Sequence, residues 1–142
     1  MSKYVIDANI LFSALIGSRT FYLDVIKNFD LYTPDFVLKE IEKYEALILK
    51  KTRLTKPELN SFLIRLFKGI TILPAIVIDK ESRKEAFELC RGVDEKDTPY
   101  IALAIQLDIP LLTNDKKLFN GLKKKGFSNI ILFEEIAATF SQ

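Results

Sequence analysis

Three aspartates stand where an apolar segment gives way to a turn, and these residues are the first candidates for chemistry. Asp7 directly follows the apolar run 4–6, Asp115 comes two residues after the run 110–113, and Asp97 precedes an apolar helical segment. A carboxylate at the edge of a buried core is costly unless it is paired, hydrogen-bonded or bound to a metal. These positions therefore predict either structural caps or a functional acidic site.

Two further acids belong to the same set. Glu40 lies roughly 70° from the centre of the apolar face of its predicted helix, at 100° per residue. That face is formed by Val37, Ile41, Tyr44 and Ile48. Asp94 precedes Asp97 by three residues, the spacing of neighbours on a helical turn. Two carboxylates so close repel each other unless a cation or a proton separates them.

The chain has no His and a single Cys, which removes much alternative chemistry. A Ser-His-Asp or Cys-His nucleophile, a His metal ligand, a Cys-rich zinc site and an internal disulfide are all excluded. Carboxylates without His favour hard cations such as Mg²⁺ or Mn²⁺, which activate water and neutralise phosphate oxygens. The alternative remains open that Asp7, Asp97 and Asp115 are only helix caps and Glu40 only a boundary residue.

Apolar runs alternate with amphipathic segments along the whole chain. Strands are predicted at residues 4–6, 31–33, 70–73, 110–113 and 129–133. Helices are predicted at residues 9–16, 19–29, 35–51, 55–68, 80–91, 97–107, 116–125 and 134–140. This alternation predicts an α/β fold with a central parallel sheet of about five strands, flanked by helices on both faces. Ligands of such sheets bind beyond the carboxyl ends of strands, where the strand order reverses.

Length and composition fit one soluble domain spanning residues 1–142. Apolar residues make up 49% and charged residues 28% of the chain, with a net charge of +2. The N-terminal apolar run is too short for a signal peptide, and the run 100–105 is too short to span a membrane. We therefore expect a cytoplasmic protein with no membrane association.

Four segments resemble, in the same order, those of the PIN-domain ribonucleases, a family that includes the VapC toxins of toxin–antitoxin pairs. These segments are 4–11 with Asp7, 34–40 with Glu40, 97–104 with Asp97, and 111–115 with Asp115. The resemblance implies a PIN-like nuclease domain in which these four acids are the catalytic metal ligands. Asp94 would join them as in some members, and Asn9 and Thr113 would be supporting polar groups.

The resemblance also implies cleavage of single-stranded RNA by metal-activated water, with Mg²⁺ or Mn²⁺ as the cofactor. It suggests a homodimer and an antitoxin protein as a partner. RNA binding needs basic residues near the acids, and Lys116, directly after Asp115, and Arg19 are the candidates.

Three alternatives remain open at the level of sequence. A haloacid-dehalogenase phosphatase also begins with a strand ending in Asp, but it needs a second Asp where this chain has Asn9. A response-regulator receiver needs an acidic pair before that Asp and a Lys after the last strand, and this chain has neither. A non-catalytic metal- or RNA-binding module of the same fold is the third alternative.

Overall fold

The computed structural model describes residues 1–17 and 20–139, and in these residues five strands form one parallel sheet. The spatial order of the strands is β3-β2-β1-β4-β5. The strands are β1 (Lys3–Ile6), β2 (Asp30–Pro34), β3 (Ile70–Leu73), β4 (Leu111–Thr113) and β5 (Ile130–Leu132). The predicted parallel sheet is confirmed, and each of the five predicted strands is present.

Helices connect the strands and cover both faces of the sheet, which confirms the α/β fold class. They are α1 (Ala8–Gly17), α2 (Thr20–Lys27), α3 (Phe36–Lys43), α4 (Glu45–Lys51), α5 (Lys56–Lys68), α6 (Lys80–Cys90), α7 (Thr98–Leu107), α8 (Lys116–Lys124) and α9 (Phe133–Ala137). Short 3-10 turns at Ala75–Val77 and Glu95–Asp97 precede α6 and α7.

Local signals account for several helix ends. Thr55 and Glu58 form a complete capping box at the start of α5, because each side chain bonds the other residue's backbone N–H. Gly92 and Gly126 follow α6 and α8 with φ angles of +75° and +88°, a region that other residues rarely adopt. With these glycines as end signals, the sequence predicts the ends of α6 and α8 to within one residue.

The strand order reverses between β1 and β4, at the centre of the sheet. The chain adds β2 and β3 on one side of β1, and then β4 and β5 on the other. Ile6 of β1 is aligned with Leu112 of β4, so the next residues, Asp7 and Thr113, come side by side. The carboxyl ends of these two strands therefore form the crevice where such sheets bind ligands.

Helix α7 packs across the central strands and brings its first turn to the same edge of the sheet. Tyr100, Ile101, Leu103 and Ala104 are all 0% exposed. The body of this helix is apolar on every side, which accounts for its burial.

The predicted single helix over residues 35–51 is wrong, because the structure has two helices, α3 and α4. The break falls at Tyr44, where φ is −102° and ψ is 12°. The apolar period continues unchanged from Val37 to Ile48, so the hydrophobic pattern carries no sign of the break. The Tyr44 ring packs edge-on against Phe12 of α1, with centroids 5.4 Å apart.

The ends of two other predicted helices fall partly outside the described residues. The helix expected over 19–29 is α2, and the one expected over 134–140 is α9, which starts one residue earlier. In the parts of the chain that the structure describes, no helix combines the length and the apolar character needed to cross a membrane.

Candidate active site

Asp7 is fully buried at the end of β1, and two groups hold its carboxylate. The backbone N–H of Ile10 donates to Oδ1 at 3.2 Å, which makes Asp7 a cap of α1. The Thr113 hydroxyl donates to Oδ2 at 2.5 Å. Burial raises the pKa of Asp7 to about 6, against the lowering effect of these hydrogen bonds, and repulsion from Asp115 and Glu40 adds to the rise.

Asp115 follows β4 and is tied to the same hydroxyl group. Its backbone N–H donates to Thr113 Oγ1 at 3.0 Å, so this one oxygen links the ends of the two strands. The Asp115 carboxylate also accepts the Leu118 N–H at 3.0 Å and caps α8. The cap alternative therefore holds for Asp7 and for Asp115, but each carboxylate keeps further lone pairs for another partner.

Asp97 differs from Asp7 and Asp115, because its carboxylate does not cap the helix that follows it. It occupies the N-cap position of α7, yet its side chain makes no capping hydrogen bond. The residue is only 8% exposed, and its Oδ2 atom is buried without a hydrogen-bond partner. The cap alternative is thus wrong for Asp97, and an orphaned buried carboxylate oxygen calls for a missing proton or cation.

Three carboxylates converge at this point. Oxygens of Asp94, Asp97 and Asp115 all lie within 4.8 Å of one another. Asp94 also accepts the Lys96 N–H at 3.2 Å, which fixes its turn. Asp94, which the resemblance adds to the other four acids, therefore belongs to the group of described residues whose carboxylates lie close enough to share a metal ion.

Glu40 is held beside this group by a residue that the sequence analysis missed. The hydroxyl of Tyr100 donates to Glu40 Oε1 at 2.5 Å, and Tyr100 itself is buried. Burial and the neighbouring Glu40 both raise the pKa of Tyr100, so the phenol keeps its proton and remains a donor. The sequence signal for this role is a Tyr three residues after Asp97, directly before the aliphatic run 101–105.

Four other acids lie near enough to Asp97 to repel its negative charge. Burial is the largest cause that raises its pKa, followed by repulsion from Asp7, Asp94, Asp115 and Glu40 in that order. Asp7 and Glu40 lie near the three converging carboxylates, and hydrogen bonds from Thr113 and Tyr100 hold their side chains.

The supporting and RNA-binding candidates are placed less centrally. Asn9 is exposed on α1, and the Asp7 carboxylate is held by Ile10 and Thr113 instead. Lys116 lies at the start of α8 and pairs with Glu134 at 3.8 Å on the surface. Arg19 lies outside the described residues.

The residues at this site fit a divalent cation. Hard cations take carboxylate oxygens as ligands, and three such oxygens are gathered here within the span of one coordination sphere. The orphaned Oδ2 of Asp97 is the independent sign, because a bound cation would satisfy an atom that the protein leaves unpaired.

A comparison with protein-family models matches residues 5–134 to the PIN domain. The chain belongs to the PIN-domain family. The match covers all five acids. It favours the PIN domain over the haloacid-dehalogenase and receiver alternatives. PIN domains are in general nucleases that use divalent metals, so a nuclease family and an acidic metal site agree with each other.

Solved structures share the fold of this PIN domain. The structure of PAE2754 from Pyrobaculum aerophilum aligns with a TM-score of 0.67 and a sequence identity of 17%. The alignment covers 99% of this chain and 96% of the other. The structure of VapBC2 from Rickettsia felis, bound to a DNA fragment from their promoter, is 20% identical, with a TM-score of 0.58 and coverages of 92% and 96%. No curated protein matches the chain.

Proposed function

We propose that this PIN domain is a divalent-metal-dependent endoribonuclease that cuts single-stranded RNA. The observation that carries the proposal is the buried, unpaired Oδ2 of Asp97 in the middle of four other carboxylates. An unpaired carboxylate oxygen buried among other acids is costly for the fold, and a bound cation would offset that cost. Family membership supports nuclease chemistry at this position.

Asp94, Asp97 and Asp115 are the proposed ligands of Mg²⁺ or Mn²⁺, and Asp7 and Glu40 complete the acidic site. When bound, such a cation lowers the pKa of water and neutralises charge on a phosphodiester. The residues of the chain position the acids. Thr113 orients Asp7, Tyr100 orients Glu40, and the Leu118 N–H fixes the rotamer of Asp115.

The proposed reaction also needs a nucleophile and defined product ends. Because the chain has no His, it has no Ser or Cys nucleophile activated by an imidazole. Water is therefore the proposed nucleophile, and hydrolysis with the 3′-oxygen as leaving group yields 5′-phosphate and 3′-hydroxyl ends. Asn9, Lys116 and Arg19 remain the proposed supporting and RNA-contacting residues.

We further propose that the protein is the toxin of a type II toxin–antitoxin pair, acts in the cytoplasm and forms a homodimer. The support is the shared fold with VapBC2 from Rickettsia felis, whose structure was solved bound to a DNA fragment from their promoter. A co-expression pull-down with the product of the adjacent gene tests the antitoxin partner, and light scattering of the purified protein tests the dimer.

A chelation experiment tests the enzymatic proposal. Purified protein is incubated with labelled single-stranded RNA, double-stranded RNA and single-stranded DNA, with Mn²⁺, with Mg²⁺ or with excess EDTA. We expect cleavage of single-stranded RNA only with metal, restored when the metal is returned after chelation. Activity that survives full chelation refutes the metal mechanism, and binding of RNA without cleavage under every condition favours the non-catalytic module.

A further inference from the structure

A cavity of about 680 Å³ opens beside the acidic site, between α1, α2 and the loop that joins β4 to α8. Asp115 forms part of its wall, so the cavity is continuous with the site. Its polar lining comes from the side chains of Asn9, Ser13 and Asn114, and Tyr22 contributes an aromatic wall. Cavities of roughly 300–1,000 Å³ are typical of small-molecule and nucleotide-sized ligands.

A second cavity, of about 200 Å³, lies next to the first one and is chemically different. It is lined by Glu40, Asp94 and Asp97. Asn9 and Phe12 line both cavities, so this part of α1 separates them. The smaller cavity thus holds three of the five acids, whereas the larger one offers mainly neutral polar groups beside Asp115.

The neutral groups of the larger cavity match the edge of a nucleobase. Asn114 Nδ2 donates to Ser13 Oγ at 3.4 Å, a long bond that is weak enough to be exchanged for a ligand. A carboxamide presents a donor and an acceptor side by side, the pattern that pairs with N6 and N7 of adenine. Tyr22 is held in place by stacking on Phe133, with centroids 5.4 Å apart and planes 8° apart.

We infer that this cavity is a base subsite for a nucleotide next to the cleaved phosphate, that it prefers adenine, and that Asn114 determines the preference. The inference rests on the proposed ribonuclease function. A nuclease that holds a phosphate at Asp115 has to place an adjoining nucleoside beside it, and the cavity that shares Asp115 is the larger of the two. Single-stranded RNA is read in this way, through splayed bases that stack and hydrogen-bond.

The first arm of the test uses binding, so that it depends on neither metal nor activity. Metal-free ¹⁵N-labelled protein is titrated with adenosine, guanosine, cytidine and uridine, neutral nucleosides that the acids do not repel. The side-chain amide signal of Asn114 is assigned by its loss in Asn114→Ala. We expect adenosine to shift this signal most, and an unmoved Asn114 amide overturns the subsite even if the protein cleaves RNA.

The second arm measures kcat/KM on short RNAs that differ in a single base beside the cut. We expect a preference for adenine of about tenfold that Asn114→Ala removes and Asn120→Ala, an exposed amide on α8, retains. A preference for another base, or one that Asn114→Ala leaves intact, overturns the inference. If adenosine binds but no RNA is cut, the ribonuclease proposal fails and the nucleoside site stands.

Discussion

Two groups of carboxylates in this protein are in opposite electrostatic situations. Glu58 and Asp79 lie on the surface at the starts of α5 and α6, where each accepts backbone N–H groups. Those hydrogen bonds lower the pKa of both side chains. Asp7 and Asp97 lie at the carboxyl edge of the sheet, where burial and neighbouring acids raise the pKa of both.

The difference separates acids whose negative charge the fold stabilises from acids whose negative charge it destabilises. A cap is stabilised as an anion, because the helix terminus supplies both hydrogen bonds and a favourable dipole. The acids at the sheet edge are destabilised as anions, and Asp97 in addition leaves an oxygen unpaired. Protonation or a bound cation removes this destabilisation. Only a cation does so at neutral pH while the carboxylates stay charged.

The largest expected difference between the two groups is in activity. Asp97→Asn should lower RNA cleavage at least about 100-fold, because it removes a proposed ligand, and changes even to groups that support metal ligands commonly cost 10–100-fold. The matched variant is Asp79→Asn at the start of α6, which should cleave RNA at the wild-type rate within about twofold. The comparison fails if both variants keep wild-type activity or if both lose it.

The dependence of metal-free stability on pH should also have opposite signs for the two groups. Asp7 has a raised pKa in the fold, so its protonated form stabilises the native state below about pH 4 and this stabilisation is lost as pH rises through 6. The loss amounts to roughly 3 kcal/mol for a shift from 3.8 to about 6, and Asp97 extends it to higher pH. Asp79, with its lowered pKa, contributes stability at neutral pH that is lost on acidification.

Urea unfolding in EDTA between pH 4 and pH 9 measures this dependence. Asp7→Asn should flatten the decline towards high pH, while Asp79→Asn should leave that decline unchanged. A wild-type protein whose metal-free stability rises from pH 5 to pH 8 would show that the acids at the sheet edge are not destabilised as anions.

Metal should stabilise the wild-type protein, and this effect should depend on the sheet-edge acids alone. Binding to the native state adds about 2.7 kcal/mol when Mn²⁺ is at 100 times its Kd. Asp7→Asn should melt no lower than the wild type in EDTA, since it removes a buried charge, and its Mn²⁺ shift should shrink. A variant that melts lower in EDTA and keeps the full Mn²⁺ shift would assign Asp7 to capping alone.

The smallest effect should come from the surface caps. Glu58→Ala breaks half of the capping box of α5 and should lower the melting temperature modestly, by the same amount with and without Mn²⁺. RNA cleavage by this variant at a temperature well below its melting point should match the wild type. A cap variant that loses the Mn²⁺ shift would erase the distinction between the two groups.

Much of the fold could be predicted because its signals are local. Short runs rich in apolar residues that end at a polar residue or at Pro mark the strands. The capping box at Thr55 and the glycines after α6 and α8 mark helix ends within a few residues. The break at Tyr44 could not be predicted, because the apolar period continues through it and the ring packs against Phe12, 32 residues earlier in the sequence.

The sequence alone shows which residue types are available: acids at strand ends, no His, and alternating strands and helices. The strand order that sets β1 beside β4, and the role of each acid, depend on the tertiary structure. The alignment of Ile6 with Leu112 sets Thr113 against Asp7, Tyr100 reaches Glu40 across 60 residues of sequence, and Asp97 is left without a partner for Oδ2. Whether a carboxylate is a cap or an unsatisfied ligand depends on donors distant in sequence, and only the packed chain brings those donors within hydrogen-bonding distance.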